Sequence, residues 1–427
     1  MPTRQELHAE ANRLLNAGDA LAALRHFVAL ARSAPQDLDA RLRIADALNA
    51  AGYAREALDA WSAVLVQSAD CGYPLLSIVA LKRLAAVDSA AARLYGAVAA
   101  RYASDSRRPG PGARASAPDP GAVVSAEAYA PRSWSDDEVA AGASAMVAGG
   151  AGLPARPEVL PAAPLLSALP REAFARFAAA SVARHAPAET LVLREGDAAS
   201  SFFLIARGRV QITRGARRLA TLGEGSVFGE MALLSNAPRN ATVSALEDAD
   251  LLEFGADALR AASGEVPVIA STLDRFMQQR LLHHALATHA FFSVFDPDQR
   301  HALAARFTPV SLAPGEVLVH EGSEDAGLVL ILSGEVDVTR RGAATTVHLA
   351  NLGPGDLVGE IGVLGKVPAT ATVTARSPLR ALELPRPFAE RLVDGVSALR
   401  SWLSEVADQR SLDTQLAMVA PDESPLT

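Results

Sequence analysis

Apolar positions in residues 1 to about 103 follow a helical rhythm, and part of that rhythm repeats. Leu14-Leu15-Asn16-Ala17-Gly18 returns as Ala47-Leu48-Asn49-Ala50-Ala51-Gly52, which sets Gly18 against Gly52 at an offset of 34. At the same offset Ala23 matches Ala57, Leu24 matches Leu58 and Phe27 matches Trp61, and Pro35 closes the first unit. Small residues where helices cross and one large residue filling the gap describe a helical hairpin repeat, with a weaker pair around Leu75 to Ala103. A generic helical bundle also fits this pattern.

From Ser104 to about Ala162 large apolar residues recur at no period. Breakers dominate instead, in Arg107-Arg108-Pro109-Gly110-Pro111-Gly112 and Gly149-Gly150-Ala151-Gly152. This predicts a flexible linker over 104–162, in which Trp134 adds a local contact or a short helix through Ser135 to Met146.

The pattern then changes to short strands. After a helix carrying Phe174 and Phe177, β-branched and aromatic residues cluster in Thr190–Leu193, Ser201–Ile205, Val210–Arg214, Leu219–Leu222, Thr242–Leu246 and Asp250–Phe254, between glycine turns. A helical stretch from Ala256 to Ala290 leads to Phe291-Phe292-Ser293-Val294-Phe295, where a second such series begins. The expected domains are 1–103, a linker 104–162, 163–290 with its connecting helix, 291–400, and a helix end and tail over 401–427.

The two strand-rich segments are copies. Phe228-Gly229-Glu230-Met231-Ala232-Leu233-Leu234 with Pro238-Arg239-Asn240-Ala241-Thr242-Val243 matches Val358-Gly359-Glu360-Ile361-Gly362-Val363-Leu364 with Pro368-Ala369-Thr370-Ala371-Thr372-Val373, at an offset of 130. Upstream, Glu195-Gly196-Asp197 matches Glu321-Gly322-Ser323 and Gly208 matches Gly334 at an offset of 126. The second copy therefore carries four extra residues between its strands. At the decisive position Arg239 becomes Ala369.

A glycine turn opening a helical stretch aims backbone N–H groups at an anion. An arginine nine places after the carboxylate offers paired hydrogen bonds to a phosphate and stays charged. The run resembles the phosphate-binding cassette of the cyclic-nucleotide-binding domain family, found in catabolite-activator-type regulators and in regulatory subunits of cyclic-AMP-dependent kinase. The resemblance covers roughly residues 163–400 and implies a multidomain α+β chain. Its parts would be an N-terminal helical repeat module, a flexible linker and two jelly-roll β-barrels flanked by helices. It also implies the site residues. Glu230 would accept from the ribose 2′-hydroxyl, Gly229 would let the backbone approach the sugar, and N–H groups near Ala232 and Ala241 would meet the phosphate held by Arg239. Phe228, Met231 and Asn240 complete the set, with base preference between cyclic AMP and cyclic GMP left open by Asn240. In the second copy Gly359, Glu360 and Ala371 would make at most a weak site, with nearby Lys366 as the one substitute cation. The period of the N-terminal helices likewise resembles the tetratricopeptide repeat.

Composition narrows the function. The net charge of −8 over 427 residues argues against a nucleic-acid surface, and the tail after Leu384 is too short and acidic for a DNA reader. Cys71 is the single cysteine, so no intrachain disulfide forms. No apolar run reaches the roughly 20 residues of a membrane helix, and the N-terminus lacks a signal-peptide core. The expectation is a cytoplasmic protein without membrane contact. Kinase and P-loop motifs are missing, His283 and His284 lack a further metal ligand, and no nucleophile or base constellation suggests an enzyme. Arg340-Arg341-Gly342-Ala343 resembles a kinase pseudosubstrate but falls in a hairpin turn of the second copy. Two readings follow. One is a cyclic-nucleotide-sensing adaptor that meets a protein partner through its helical repeats, with no cofactor and no metal. The other is a ligand-independent interaction scaffold.

Overall fold

Thr3, Asp19 and Asp37 each stop a loop by accepting from a backbone N–H of the helix that follows, so the first three helices begin where their caps dictate. Those helices are α1 (Arg4–Asn16), α2 (Ala20–Ser33) and α3 (Leu38–Ala50), followed by α4 (Ala54–Asp70), α5 (Pro74–Val87) and α6 (Tyr95–Tyr102). Each of α1 to α5 packs on its successor. The start of α3 repeats that of α1, and the start of α4 that of α2, at the same offset as the sequence repeat. Leu24, Phe27, Ile44, Leu48 and Trp61 fill the space between them. The computed structural model describes residues 1–106, 109–110, 114–131, 133–153, 157, 159–163, 165–230, 238–342 and 345–419, with the backbone alone at 109–110, 284, 288 and 412–419.

The stretch expected to be a flexible linker is built into the helical region. Two short strands, β1 (Pro109–Gly110) and β2 (Leu160–Pro161), pair in parallel. Between them α7 (Asp136–Gly149) starts at a Ser135–Glu138 capping box and lies against α2, α3 and α4. Its buried stripe is Val139, Ala140, Ala143 and Val147. The Tyr53 hydroxyl donates to Asp137 at 2.7 Å, and the buried Arg41 guanidinium donates to the carbonyls of Val147 at 3.2 Å and Ala151 at 3.0 Å. The short helix expected near Ser135–Met146 is thus present and longer, and it is held rather than free. The linker reading failed because the stripe consists mainly of small residues, which pack closely without the large periodic residues that mark an amphipathic helix. Arg107 and Arg108 lie outside the described residues.

After α8 (Arg171–Ala180) the first barrel is formed by β3 (Val182–Ala186), β4 (Leu191–Leu193), β5 (Ser201–Arg207), β6 (Val210–Arg214), β7 (Arg217–Leu222), β8 (Val227–Phe228), β9 (Thr242–Ala245) and β10 (Ala249–Gly255). They make two four-stranded antiparallel sheets, β3-β10-β5-β8 and β4-β9-β6-β7. Phe203, Ile205, Val210, Phe228, Val243 and Leu251 fill the space between the sheets. The expected connecting helix is two helices, α9 (Ala256–Glu265) and α10 (Val268–Thr288), separated by Pro267, whose ring removes an N–H and restricts the residue before it.

The chain divides into two compact units, the helical region with the first barrel up to Asp274, and the second barrel from Arg275 onward. In the first unit α5 lies on β3, β5 and β10. A buried ionic cluster binds the helices to the barrel. Asp250 of β10, 1% exposed, accepts from Arg43 at 2.5 Å, Arg83 at 2.6 Å and Arg207 at 2.8 Å. Arg43 and Arg83 also pair with Asp46, and Arg207 with Asp39. Burial raises the Asp250 carboxyl, but Arg43, Arg207 and Arg83 outweigh it and hold the group well below the usual carboxylate range.

The second unit repeats the barrel. Short helices α11 (Ala290–Ser293) and α12 (Pro297–Ala304) precede β11 (Thr308–Leu312), β12 (Val317–Val319), β13 (Leu328–Ser333), β14 (Val336–Arg341), β15 (Thr346–Leu352), β16 (Leu357–Val358), β17 (Thr372–Ala375) and β18 (Leu379–Leu384). Their sheets, β11-β18-β13-β16 and β12-β17-β14-β15, keep the strand order of the first pair. The four extra residues lengthen one hairpin, because β6 and β7 register Val210 with Leu222 whereas β14 and β15 register Val336 with Leu352. Arg340 and Arg341 end strand β14, Gly342 begins the turn, and Ala343 lies outside the described residues. Helix α13 (Glu360–Gly365) follows β16 and packs on α14 (Arg386–Gly395) and α15 (Ser397–Val419). The boundary expected at residue 400 falls inside α15, whose Leu399 and Leu403 are buried in the same core as Phe291 and Phe292. Among the described residues no helix is long and apolar enough to cross a membrane.

Candidate functional site

Glu195 and Glu321 show how closely the two barrels copy each other at the cassette. The backbone N–H of Glu195 donates to the Thr242 hydroxyl at 3.1 Å, and its carboxylate accepts from the N–H of Gly215. Glu321 does the same with Thr372 and Arg341. The next pair of contacts fixes the position that carries the cation. The Arg239 carbonyl accepts from Gly196 at 2.9 Å and its N–H donates to Asp197 at 2.8 Å; the Ala369 carbonyl accepts from Gly322 at 2.8 Å and its N–H donates to Ser323 at 2.9 Å. Arg239 and Ala369 therefore occupy one place in the backbone framework, as the sequence repeat requires.

In the first barrel that place is buried. Arg239 is 5% exposed. One terminal nitrogen donates to the Gly229 carbonyl at 2.7 Å and the other to the Ser201 carbonyl at 2.8 Å. Burial pushes its pKa down, partly opposed by the charges of Glu253 and Asp197. Gly229 has φ +82, and a Cβ there would stand 3.0 Å from the guanidinium, so close approach and the left-handed turn both need glycine. Glu230 follows, 4% exposed. Gly229, Glu230 and Arg239 are thus brought together, with Ser201 at the head of β5 beside them.

The remaining expected residues divide. Phe228 is a core residue, its ring stacked on Phe203 at 5.1 Å between centroids. Asn240 is exposed, and its carbonyl accepts from Arg214 at 3.0 Å. Ala241 is half-buried just before β9. Met231 and Ala232 lie outside the described residues.

The second barrel keeps the turn and changes the charge. Gly359 has φ +90, and a Cβ would meet the Gly327 carbonyl oxygen at 2.1 Å. Glu360 is 3% exposed and pairs with Arg410 of α15 at 3.0 Å. Arg410 also donates to the Leu357 carbonyl and approaches Asp356 at 3.5 Å. A cavity of about 830 Å³ lies here, walled by Gly359, Glu360, Ala369 and Ala371 together with β14, β15 and α15. Lys366, the substitute cation expected from the sequence, is exposed and pairs with Asp394 at 2.9 Å, away from the cavity wall. The cations that do line it, Arg340 and Arg410, were missed. Arg410 comes far downstream of Glu360 in a segment with no motif, so only the folded helix reveals it. Among the described residues no group of His, Cys, Asp and Glu could hold a metal ion.

Comparison with known proteins agrees with this geometry. Residues 183–264 and 309–395 match the family profile of the cyclic nucleotide-binding domain, so the two barrels are tandem domains of that kind. The chain is 29% identical over 218 residues to a cAMP-dependent protein kinase regulatory subunit of Yarrowia lipolytica, a match covering 48% of this chain and 52% of the relative. It thus spans about half the length of that curated relative. Among solved structures, the regulatory domain of Toxoplasma gondii PKA with cAMP is 23% identical, covering 57% of this chain and 92% of the other with a TM-score of 0.29. The Thermus thermophilus catabolite activator protein is 30% identical, covering 29% and 61%, with a TM-score of 0.27.

Proposed function

We propose that this chain, with its tandem cyclic-nucleotide-binding domains, is a regulatory protein that senses a cyclic nucleotide through its first barrel. The ligand is cyclic AMP or cyclic GMP. Arg239 binds the exocyclic phosphate oxygens, Glu230 accepts from the ribose hydroxyl, and the backbone near Gly229 and Ala241 closes on the phosphate. The observation that carries this reading is a guanidinium 5% exposed whose hydrogen-bond partners, among the described residues, are the carbonyl dipoles of Gly229 and Ser201. A cation with neutral partners in a buried place is costly, and an anionic ligand offsets that cost.

The helical region would act as a tetratricopeptide-like repeat module that meets a protein partner. Support comes from the equal step between its helix pairs. A kinase is the class of partner that the name of the curated relative suggests. A regulatory role without catalysis is consistent with the name of that relative.

Isothermal titration of the full chain with cyclic AMP and cyclic GMP tests the central claim. Micromolar binding to the wild type, lost in Arg239→Ala, supports it. Absence of heat with both ligands favours a ligand-independent scaffold, a reading that gains from Arg239 already being hydrogen-bonded inside the protein.

A further inference from the structure

The cavity of the second barrel has the size of a small-molecule site, about 830 Å³ against the roughly 300–1,000 Å³ usual for such pockets. Its charge is wrong for a phosphate. The position that carries a buried arginine in the first barrel holds Ala369 in the same backbone framework. Five ionisable side chains line the wall, Arg340 and Arg410 against Asp356, Glu360 and Glu405. Arg410 is engaged by Glu360, Asp356 and the Leu357 carbonyl. An anion entering here meets a net negative wall, and the arginine beside Glu360 is already neutralised.

What the wall does offer is apolar surface and a buried acceptor. Val338, Val358 and Val373 come from the strands, and Val406 from α15, so the space is a slot between a sheet and a helix. Ionised, Glu360 has lone pairs for about four hydrogen bonds. Arg410 approaches it at Oε1. A carboxylate at this depth selects donors without requiring a second charge, and neighbouring hydroxyls satisfy it. Asn351 and Thr370 add neutral polar groups at the same wall.

We propose that the second barrel binds an uncharged molecule with a flat apolar body and vicinal hydroxyls, of the nucleoside class, and that a phosphate-bearing ligand is rejected there. Because Glu360 is tied to α15 through Arg410, occupancy of the slot is felt by the C-terminal helix. The proposal does not rest on the first barrel's ligand.

Isothermal titration of the full chain with adenosine, guanosine, cyclic AMP and cyclic GMP tests it, alongside amide exchange with each ligand. One nucleoside is expected per chain, with slower exchange at 357–373 and 397–411. Its affinity should fall at least tenfold in Glu360→Gln and in Ala369→Phe, which fills the slot from its wall. Thermal unfolding of each variant reports whether it folds, and the wild-type stoichiometry and exchange pattern decide the matter if one does not. A cyclic nucleotide occupying the second barrel, seen as two equivalents per chain with protection at 357–373, overturns the proposal. So does millimolar nucleoside giving neither heat nor protection there. Either failure leaves the first barrel's reading untouched, since Arg239→Ala decides that separately.

Discussion

Arg239 and Ala369 share a backbone framework and differ by one guanidinium, so each barrel serves as the control for the other. If Arg239 holds the phosphate as we propose, replacing it by alanine removes a charged bidentate partner of the ligand and should cost about 3 kcal/mol, over a hundredfold in affinity. Titration of the purified variant, with circular dichroism to check the fold, measures this, and near-wild-type affinity would refute the assigned role. Gly359 carries a second residue-scale expectation. Its φ of +90 and the 2.1 Å approach of a Cβ to the Gly327 carbonyl leave no room for a side chain. Gly359→Ala should destabilise the second barrel by about 1–3 kcal/mol, visible as a lower melting temperature. Both positions were legible in the sequence, because the glycine turn and the residue nine places after the carboxylate lie within one short run. Arg410 was not, because its ion pair with Glu360 depends on where a distant helix comes to rest. Phe228 was legible as part of the cassette, but the packing of its ring on Phe203 in the core was not, since adjacency to Gly229 does not say which way a strand residue points.

At the scale of elements, the strands were easier to read than the segment before them. Alternation between glycine turns located most of them, and the offset of 126 rising to 130 already implied an insertion, now seen in the β14–β15 hairpin. Helix α7 was legible only as a short stretch near Trp134, and its attachment to α2, α3 and α4 was not legible at all. Alanine on a buried face and alanine in a solvated linker look alike in sequence. The attachment makes a clear prediction. Val147 is fully buried on α7, and its carbonyl receives hydrogen bonds from Arg41 and Gln67. Val147→Lys places a second cation in that contact, beside the buried Arg41, and should unseat the helix. Limited proteolysis should then cut within 104–162 much faster than in the wild type. Equal cleavage rates would mean that α7 is not held in solution.

Across the first unit, the helices and the barrel are joined by the cluster around Asp250, which no local sequence pattern announces because its members come from α3, α5, β5 and β10. The folded carboxyl lies below its unfolded value of about 3.9, so its contribution is fully present above that pH and is lost as pH falls through the folded value. Asp250→Ala leaves the buried Arg43 and the partly buried Arg83 and Arg207 short of a partner and should cost about 3–5 kcal/mol at neutral pH, with a flatter acid limb in a plot of melting temperature against pH. The same joint alters what a ligand should do to the molecule. A flexible linker would have isolated residues 1–103 from the first barrel, whereas α5 lies on β5, and the carbonyl of Ser201 at the head of β5 is one of the two groups holding Arg239. A phosphate that draws Arg239 toward itself competes with that carbonyl, so the ligand acts on a strand that the helices already grip at its other end through Arg207. A ligand shifts such an arrangement only by binding its alternatives unequally, and the shift is shared by every group the strand touches. Cyclic nucleotide should therefore change amide exchange in β5 and in α5 together, along with the cassette. Hydrogen-exchange mass spectrometry with and without ligand measures this, and Asp250→Ala supplies the control, since breaking the joint should leave the cassette response and abolish that of α5. A response in the wild type confined to the cassette and β5 would show that the ionic joint holds the two parts together without carrying the signal between them.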